Sequence, residues 1–295
     1  MSENGFMTAM KSVLPEKWTK PRPLVPVLRF SGPIGVNSPF KQELSLLTVA
    51  ASIDKAFSMR GAKAVAIQIN SPGGAAVQST LIHKRIRALA AEKNLKVYAF
   101  CEDVAASGGY MLSLAGDEIY ADPSSIVGSI GVIAAGFGFP GLLEKIGVER
   151  RVYTAGTSKD TLDPFLPEKP EDVKRIKDIQ LDVHEAFIGM VKSRRGGKLT
   201  KPDDELFTGA FWSGKTALEL GLIDGLSDLR TRMREVFGED VRFKLVAPAT
   251  SWLRRGKKSV SAGVSGLDFG QWPHGFAADV ISAIEARALW SRFGL

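Results

Sequence analysis

Among its 295 residues the chain has one cysteine, Cys101, and three histidines, His83, His184 and His274. A single cysteine excludes an intrachain disulfide, which fits a reducing compartment. Cys101 lies in the apolar run VYAFC, where a small core residue is expected rather than a thiol nucleophile. His83 and His184 fall inside expected helices and His274 in an irregular tail, so none is placed as the base of a Ser–His–Asp triad. No His, Cys or Asp cluster has metal-ligand spacing, and no metal is expected. No uninterrupted apolar stretch approaches the roughly 20 residues that span a bilayer. The first residues, broken by Glu3, Lys11, Pro15 and Glu16, lack the apolar core of a signal peptide.

What is present is ordinary globular composition, 44% apolar and 24% charged. The formal charge of +7 is concentrated in two clusters, Lys192–Lys201 (KSRRGGKLTK) and Arg254–Lys258 (RRGKK). Neither has interleaved aromatics or a nucleic-acid motif, so solvated loops are expected and nucleic acid is not; contact with anionic lipid is the alternative. Residues 1–22 read as a leader, either flexible or a short amphipathic helix. Residues 23–248 read as the folded domain. Residues 249–295 read as a Gly/Ser/basic linker followed by an amphipathic helix over Phe276–Phe293.

Along the domain, strands are expected at Leu24–Phe30, Ala62–Ile69 and Leu95–Cys101, separated by helices at Leu44–Met59 and Ala76–Ala91. The run AKAVAIQI is apolar almost throughout, as in a buried parallel strand. Asp103–Leu114 reads as helical despite Gly108 and Gly109. Further strands are expected at Glu118–Ala121, Ile130–Ala134, Glu149–Tyr153 and Val241–Val246, and helices at Pro170–Ser193, Ser213–Leu220 and Leu226–Phe237. Alternating strands and helices mark an α/β fold.

Three turns carry residues suited to chemistry. NSPGG at Asn70–Gly74 can leave backbone N–H groups free to face a developing negative charge, though a tight turn needing positive φ explains it equally well. In DVAASGGY at Asp103–Tyr110, Ser107 is flanked by Ala and Gly, which lets a substrate backbone approach its hydroxyl; a small-residue helix packed on the sheet is the other reading. In AGTSKDTLDP at Ala155–Pro164, Lys159 suits a general base if burial lowers its pKa, and suits a solvated surface charge otherwise.

Taken together, the motifs resemble the signal peptide peptidase A family, also called protease IV. The matching runs are INSPGG at Ile69–Gly74, DVAASGGYMLSLAGDEIYADPSSIVGSIGV at Asp103–Val132, SKD at Ser158–Asp160 and FTGAFWSGKTALELGLIDGL at Phe207–Leu226. The resemblance implies a crotonase-like α/β fold related to the Clp protease subunit, a ββα spiral with a mostly parallel sheet and flanking helices. It implies a serine endopeptidase acting on signal-peptide remnants or other unfolded peptides without a cofactor. Ser107 matches the family's nucleophile, Lys159 its general base, Gly74 and Gly108 its oxyanion-hole donors, and Ser129 a hydroxyl that orients the lysine. It also implies a homo-oligomeric ring, with an octamer as the candidate size, in which Lys159 serves a neighbour's Ser107. Family members usually carry an N-terminal membrane anchor; none is seen here, so the expectation is a cytoplasmic protein, with peripheral contact at the inner membrane as the alternative. A peptide-binding scaffold without turnover and a crotonase-type acyl-CoA enzyme are the competing functions.

Overall fold

A parallel strand buried on both faces needs apolar side chains at nearly every position. In the computed structural model, which describes residues 22–36, 43–247 and 287–295, the apolar runs become β1 (Leu24–Ser31), β2 (Ala64–Ser71) and β3 (Lys96–Ala106). They are neighbours and parallel, with Val27 opposite Ala66 and Ile67 opposite Ala99. The crossovers are α1 (Leu46–Phe57) and α2 (Ala76–Lys93). Alternate strand residues serve two cores. Leu28, Phe30, Val65, Ile67, Ile69, Val97 and Ala99 face the larger one, which the buried faces of α1 and α2 complete. Val25, Val27, Ala64, Ala66, Tyr98 and Phe100 face a smaller one on the opposite side.

The remaining elements are α3 (Gly108–Ser113), β4 (Glu118–Ala121), β5 (Ile126–Gly128), α4 (Pro140–Ile146), α5 (Pro170–Arg195), α6 (Asp203–Leu206), β6 (Phe211–Ser213), α7 (Gly214–Glu219), β7 (Gly225–Leu226), α8 (Leu229–Phe237) and β8 (Arg242–Leu245). The sheet runs β6-β5-β3-β2-β1-β8, with β4 pairing β3 and β7. Every pairing of these strands is parallel except that of β5 with β6. This is the expected α/β class, a mostly parallel sheet with flanking helices.

One irregularity positions the site. Ile69 pairs with Cys101, yet Ser71 pairs with Ala105, so β3 carries two extra residues at this point. Below the irregularity β3 pairs with β4 at Tyr98–Cys101; above it β3 pairs with β5 at Val104–Ala106. The Asn70 side chain holds the bulge, donating to the Asp103 carboxylate at 2.6 Å and accepting from the Val104 N–H at 3.3 Å. The ends of β2 and β3 therefore lie side by side, at the carboxyl ends of parallel strands where α/β proteins build their sites.

Arg195 closes the far end of the long helix α5. Its buried guanidinium donates to the Gly221 carbonyl at 2.7 and 2.9 Å and to Asp224 at 2.6 Å. Burial pushes the Asp224 carboxyl up, but hydrogen bonds from Lys198 and Arg195 outweigh it and hold the group below the usual carboxylate range.

Several expectations need correction. Asp103–Ala106 is strand, not helix, because Val104–Ala106 finds a ladder partner in Ile126–Gly128; only Gly108–Ser113 is helical. Ile130–Ala134 and Glu149–Tyr153 form no strand. The chain leaves the sheet at Gly128 and Ser129, both at positive φ, and among the described residues no strand pairs with Ile130–Ala134 or Glu149–Tyr153. Leu226 belongs to β7, and the helix after it starts only at Leu229, where Asp228 caps the N–H groups of Arg230 and Thr231. Of the leader, linker and C-terminal helix expected from sequence, only Arg22 and residues 287–295 lie inside the described residues; residues 287–291 are helical.

Candidate active site

Ser107 is the residue on which β3 ends and α3 begins. It adopts φ 53 and ψ −121, outside the helical and strand regions, and its N–H donates to the Gly128 carbonyl at 2.8 Å. A non-glycine residue held there stores strain of about 1–3 kcal/mol, which persists only where the surroundings enforce it. The enforcement is visible: β5 grips the N–H, and the Ser107 carbonyl accepts the Met111 N–H at 3.0 Å to start α3. The result is a half-buried hydroxyl at a sharp strand-to-helix turn, with no hydrogen-bond partner among the described residues.

The NSPGG turn lies directly against it. A Cβ on Gly73 would sit 2.8 Å from the Ser107 Cβ and 3.1 Å from the Gly108 nitrogen. A Cβ on Gly74 would sit 2.1 Å from the Ile34 carbonyl oxygen. Both glycines have positive φ, 105 and 137. Ile34 straps the turn from its other side, donating its N–H to Gly73 at 2.8 Å and accepting the Ala75 N–H at 2.8 Å. The N–H of Gly74 donates to no acceptor among the described residues. The N–H of Gly108 likewise donates to no acceptor among the described residues, and the Gly74 nitrogen lies 3.4 Å from where a Gly108 Cβ would stand. Two free amide donors thus flank the serine, an arrangement able to stabilise an oxyanion.

Ser129 follows the carbonyl that grips Ser107. It too has positive φ, 53, is buried, and donates its N–H to the Ala210 carbonyl at 2.7 Å. Its hydroxyl has no hydrogen-bond partner among the described residues. The structure therefore brings Gly74, Ser107, Gly108 and Ser129 into one neighbourhood. It also adds Gly73, Ile34 and the Gly128 carbonyl, which the sequence did not single out. The positive-φ demand of the GG pair was the available signal for Gly73; the other two act through backbone, which sequence does not mark.

Lys159 is placed differently. It is exposed, and its amine has no hydrogen-bond or ion-pair partner among the described residues. The loop that carries it is nonetheless well tied. Lys169 pairs with Asp160 at 2.7 Å, Thr161 donates to buried Asp172 at 3.2 Å, and Arg175 donates to the Ser158 hydroxyl at 3.2 Å. Arg150 pairs with Asp163 at 2.7 Å and lies over the Phe165 ring, which meets Phe139 at a tilt with centroids 5.5 Å apart. The arm formed by residues 132–165 thus carries the exposed lysine on a tied loop, alongside exposed apolar side chains such as Phe137 (81%) and Tyr153 (91%).

Neither of the two other nucleophile or base types competes. The Cys101 thiol is buried, pushed up to about 12 by desolvation, and meets Ser113 at 3.5 Å. His184 meets the Ile130 carbonyl at 3.1 Å, while His83 is buried within α2. Among the described residues no group of His, Cys, Asp and Glu is arranged to hold a metal, and no helix is long and apolar enough to cross a membrane.

A family model described as Peptidase family S49 matches residues 89–238. A protein of Brucella abortus named Na(+)/H(+) antiporter NhaA is 51% identical over 287 residues, covering 97% of this chain and 39% of that protein. The chloroplastic serine protease SPPA of Arabidopsis thaliana is 33% identical over 223 residues, covering 72% of this chain and 32% of that protein. The chain thus spans about two fifths of the first relative and one third of the second. Among solved structures, the 1510-N membrane-bound stomatin-specific protease, a mutant in complex with a substrate peptide, gives a TM-score of 0.49 at 17% identity and covers 78% of this chain and 94% of that one.

Proposed function

Because the chain belongs to peptidase family S49, we propose that it hydrolyses peptide bonds as a serine endopeptidase, with Ser107 as nucleophile and Lys159 as general base. The observation that carries this reading is the strained, half-buried Ser107 flanked by the unspent N–H groups of Gly74 and Gly108. Lys159 takes the proton from the Ser107 hydroxyl, whose oxygen forms a bond to the substrate carbonyl carbon. The carbonyl oxygen becomes negative between the two amide donors. The protonated lysine returns its proton to the leaving amine as the C–N bond breaks, and water then releases the acyl group from Ser107. Ser129 is proposed to hold the lysine amine through its hydroxyl.

Within one chain the Lys159 amine is exposed and has no hydrogen-bond or ion-pair partner among the described residues, Ser107 included. We therefore assign the base to a neighbouring copy in a homo-oligomeric ring. The tied loop and the exposed apolar residues of the arm support this: docking against a second copy would bury those side chains and desolvate the lysine, which favours its neutral form. The substrates are peptides without stable structure, signal-peptide remnants included. Antiport is said of the Brucella protein as a whole, of which this chain matches 39%; the peptidase reading comes from residues 89–238. That the shared stretch belongs to a longer protein so named supports a working place at the membrane surface.

The test is hydrolysis of casein and unstructured peptides by Ser107→Ala and Lys159→Ala. Each is expected to lose about 10⁴-fold or more in kcat with its fold intact. Wild-type rates in both would remove the dyad. Tight peptide binding without turnover in the wild type would favour the scaffold instead.

A further inference from the structure

The last residues of the chain return to the strand that ends in Ser107. Val104 and Ala106 on β3 are fully buried, and what buries them is Phe293, itself 8% exposed, with Trp290 and Ile126 packed around it. The Phe293 ring meets Phe211 edge-on, with centroids 5.1 Å apart. The segment is folded back on itself: Phe293 and Leu295 both donate N–H bonds to the Trp290 carbonyl, and Gly294 donates to Ser291. The walls of this recess lie on the segments that carry and hold the nucleophile. Ala106 precedes Ser107, Ile126 lies on the strand whose Gly128 carbonyl accepts the Ser107 N–H, and Phe211 pairs directly with Gly128.

The recess continues a face that the rest of the fold covers permanently. Further down β3, Tyr98 and Phe100 are roofed by Leu229 and Met233 of α8. Beyond the bulge α8 no longer reaches, and the roof is a short segment held by two aromatic side chains. Such a contact is within reach of a competitor of similar chemistry, and the competitor brought beside Ser107 is the peptide substrate.

We propose that residues 287–295 are an intramolecular plug, with Trp290 and Phe293 occupying an apolar recess of Val104, Ala106, Ile126 and Phe211 beside Ser107, and that an apolar side chain of the substrate peptide takes the same recess. The proposal rests on the peptidase reading and extends it to a preference for peptides bearing large apolar residues. A plug docked about nine-tenths of the time lowers the apparent affinity of such a peptide about tenfold. Removing the Phe293 ring restores it.

The experiment uses the full chain with Ser107→Ala, which separates binding from cleavage. A fluorescent synthetic peptide with the sequence of residues 287–295 is titrated against this chain with and without Phe293→Ala, and against Phe293→Leu, which keeps an apolar anchor. Binding about tenfold tighter to the Phe293→Ala chain, with Phe293→Leu close to the parent, supports the plug. Equal binding to all three, or none, overturns it. In parallel, hydrogen exchange on the Phe293-containing chain needs no variant in the tail. Adding a peptide rich in Phe and Leu is expected to raise exchange across residues 287–295, whereas an acidic, Gly-rich peptide leaves it unchanged. Protection of the tail that no peptide alters also overturns the proposal. Failure of the wild-type chain to cleave any peptide, with the tail still displaced, refutes the peptidase reading and leaves the recess standing; cleavage with an undisturbed tail does the reverse.

Discussion

The backbone around Ser107 is held by contacts that a single methyl group would break. Gly74 tests this most sharply. Its positive φ and the Ile34 carbonyl, 2.1 Å from any added Cβ, leave no room for a side chain. Gly74→Ala is expected to displace the NSPGG turn, misdirect one amide donor and lower kcat by about 10²-fold, with far-UV circular dichroism unchanged. A steady-state assay with a fluorogenic peptide checks it, and wild-type kcat would dissociate Gly74 from the oxyanion. At this scale much of the site was legible in sequence. The small residues around Ser107 and the paired glycines of NSPGG announced close backbone approach. What sequence could not show was who does the gripping. The Gly128 carbonyl and the Ile34 strap act through main-chain atoms, and their side chains carry no trace of the task.

Among the elements, α2 contains a buried group at odds with its surroundings. Both ring nitrogens of His83 lack a hydrogen-bond partner among the described residues. Desolvation lowers its pKa from 6.5 to about 4; the nearby Leu114 backbone, outside good hydrogen-bond geometry, opposes this, and the charges of Arg194, Arg87 and Lys84 add to it. Between those values the unfolded chain binds a proton that the folded chain refuses, so stability falls as pH drops from about 6.5 towards 4 and this contribution levels off below. His83→Leu removes that slope. It also replaces an unsatisfied polar ring with an apolar side chain, so a gain of about 1 kcal/mol at pH 7 is expected. Urea unfolding at pH 7, 5.5 and 4.5 measures both effects; a variant that keeps the wild-type slope would contradict the assignment. The same helix illustrates what patterning captures. The sequence puts Leu81, Ile82, Ile86 and Leu89 on one face of it; Ile82, Ile86 and Leu89 are buried, whereas Leu81 is 39% exposed, and the continuous apolar runs of β2 and β3 were readable as buried strands. The three-residue strands were not. Ile126–Gly128 and Phe211–Ser213 are three residues each and are strands only because β3 and β5 offer them partners. Conversely, Ile130–Ala134 has strand-like composition but no strand partner among the described residues.

For the whole molecule, the proposed pairing of a half-buried serine with an exposed lysine would make assembly part of the chemistry. If a neighbour's Lys159 serves each Ser107, a ring built from Ser107→Ala and Lys159→Ala chains contains some intact pairs. Mixing the two inactive variants under conditions of subunit exchange is expected to recover activity, while each alone has none. No recovery in a mixed ring verified by native mass spectrometry would place the base within one chain or remove it altogether. The exposed apolar arm of residues 132–165 is a physical reason to expect such an assembly, since side chains such as Phe137 and Tyr153 lie open to water in the isolated chain.

The claim beneath all of these is that the Ser107 oxygen becomes covalently bonded to substrate. Mass spectrometry of the wild-type chain, acid-quenched during turnover of an activated peptide ester, measures it directly. The account predicts one acyl group per active site, located on the Ser107-containing fragment and absent from Ser107→Ala. Turnover with no adduct in the burst phase, or an adduct on any other residue, would contradict it.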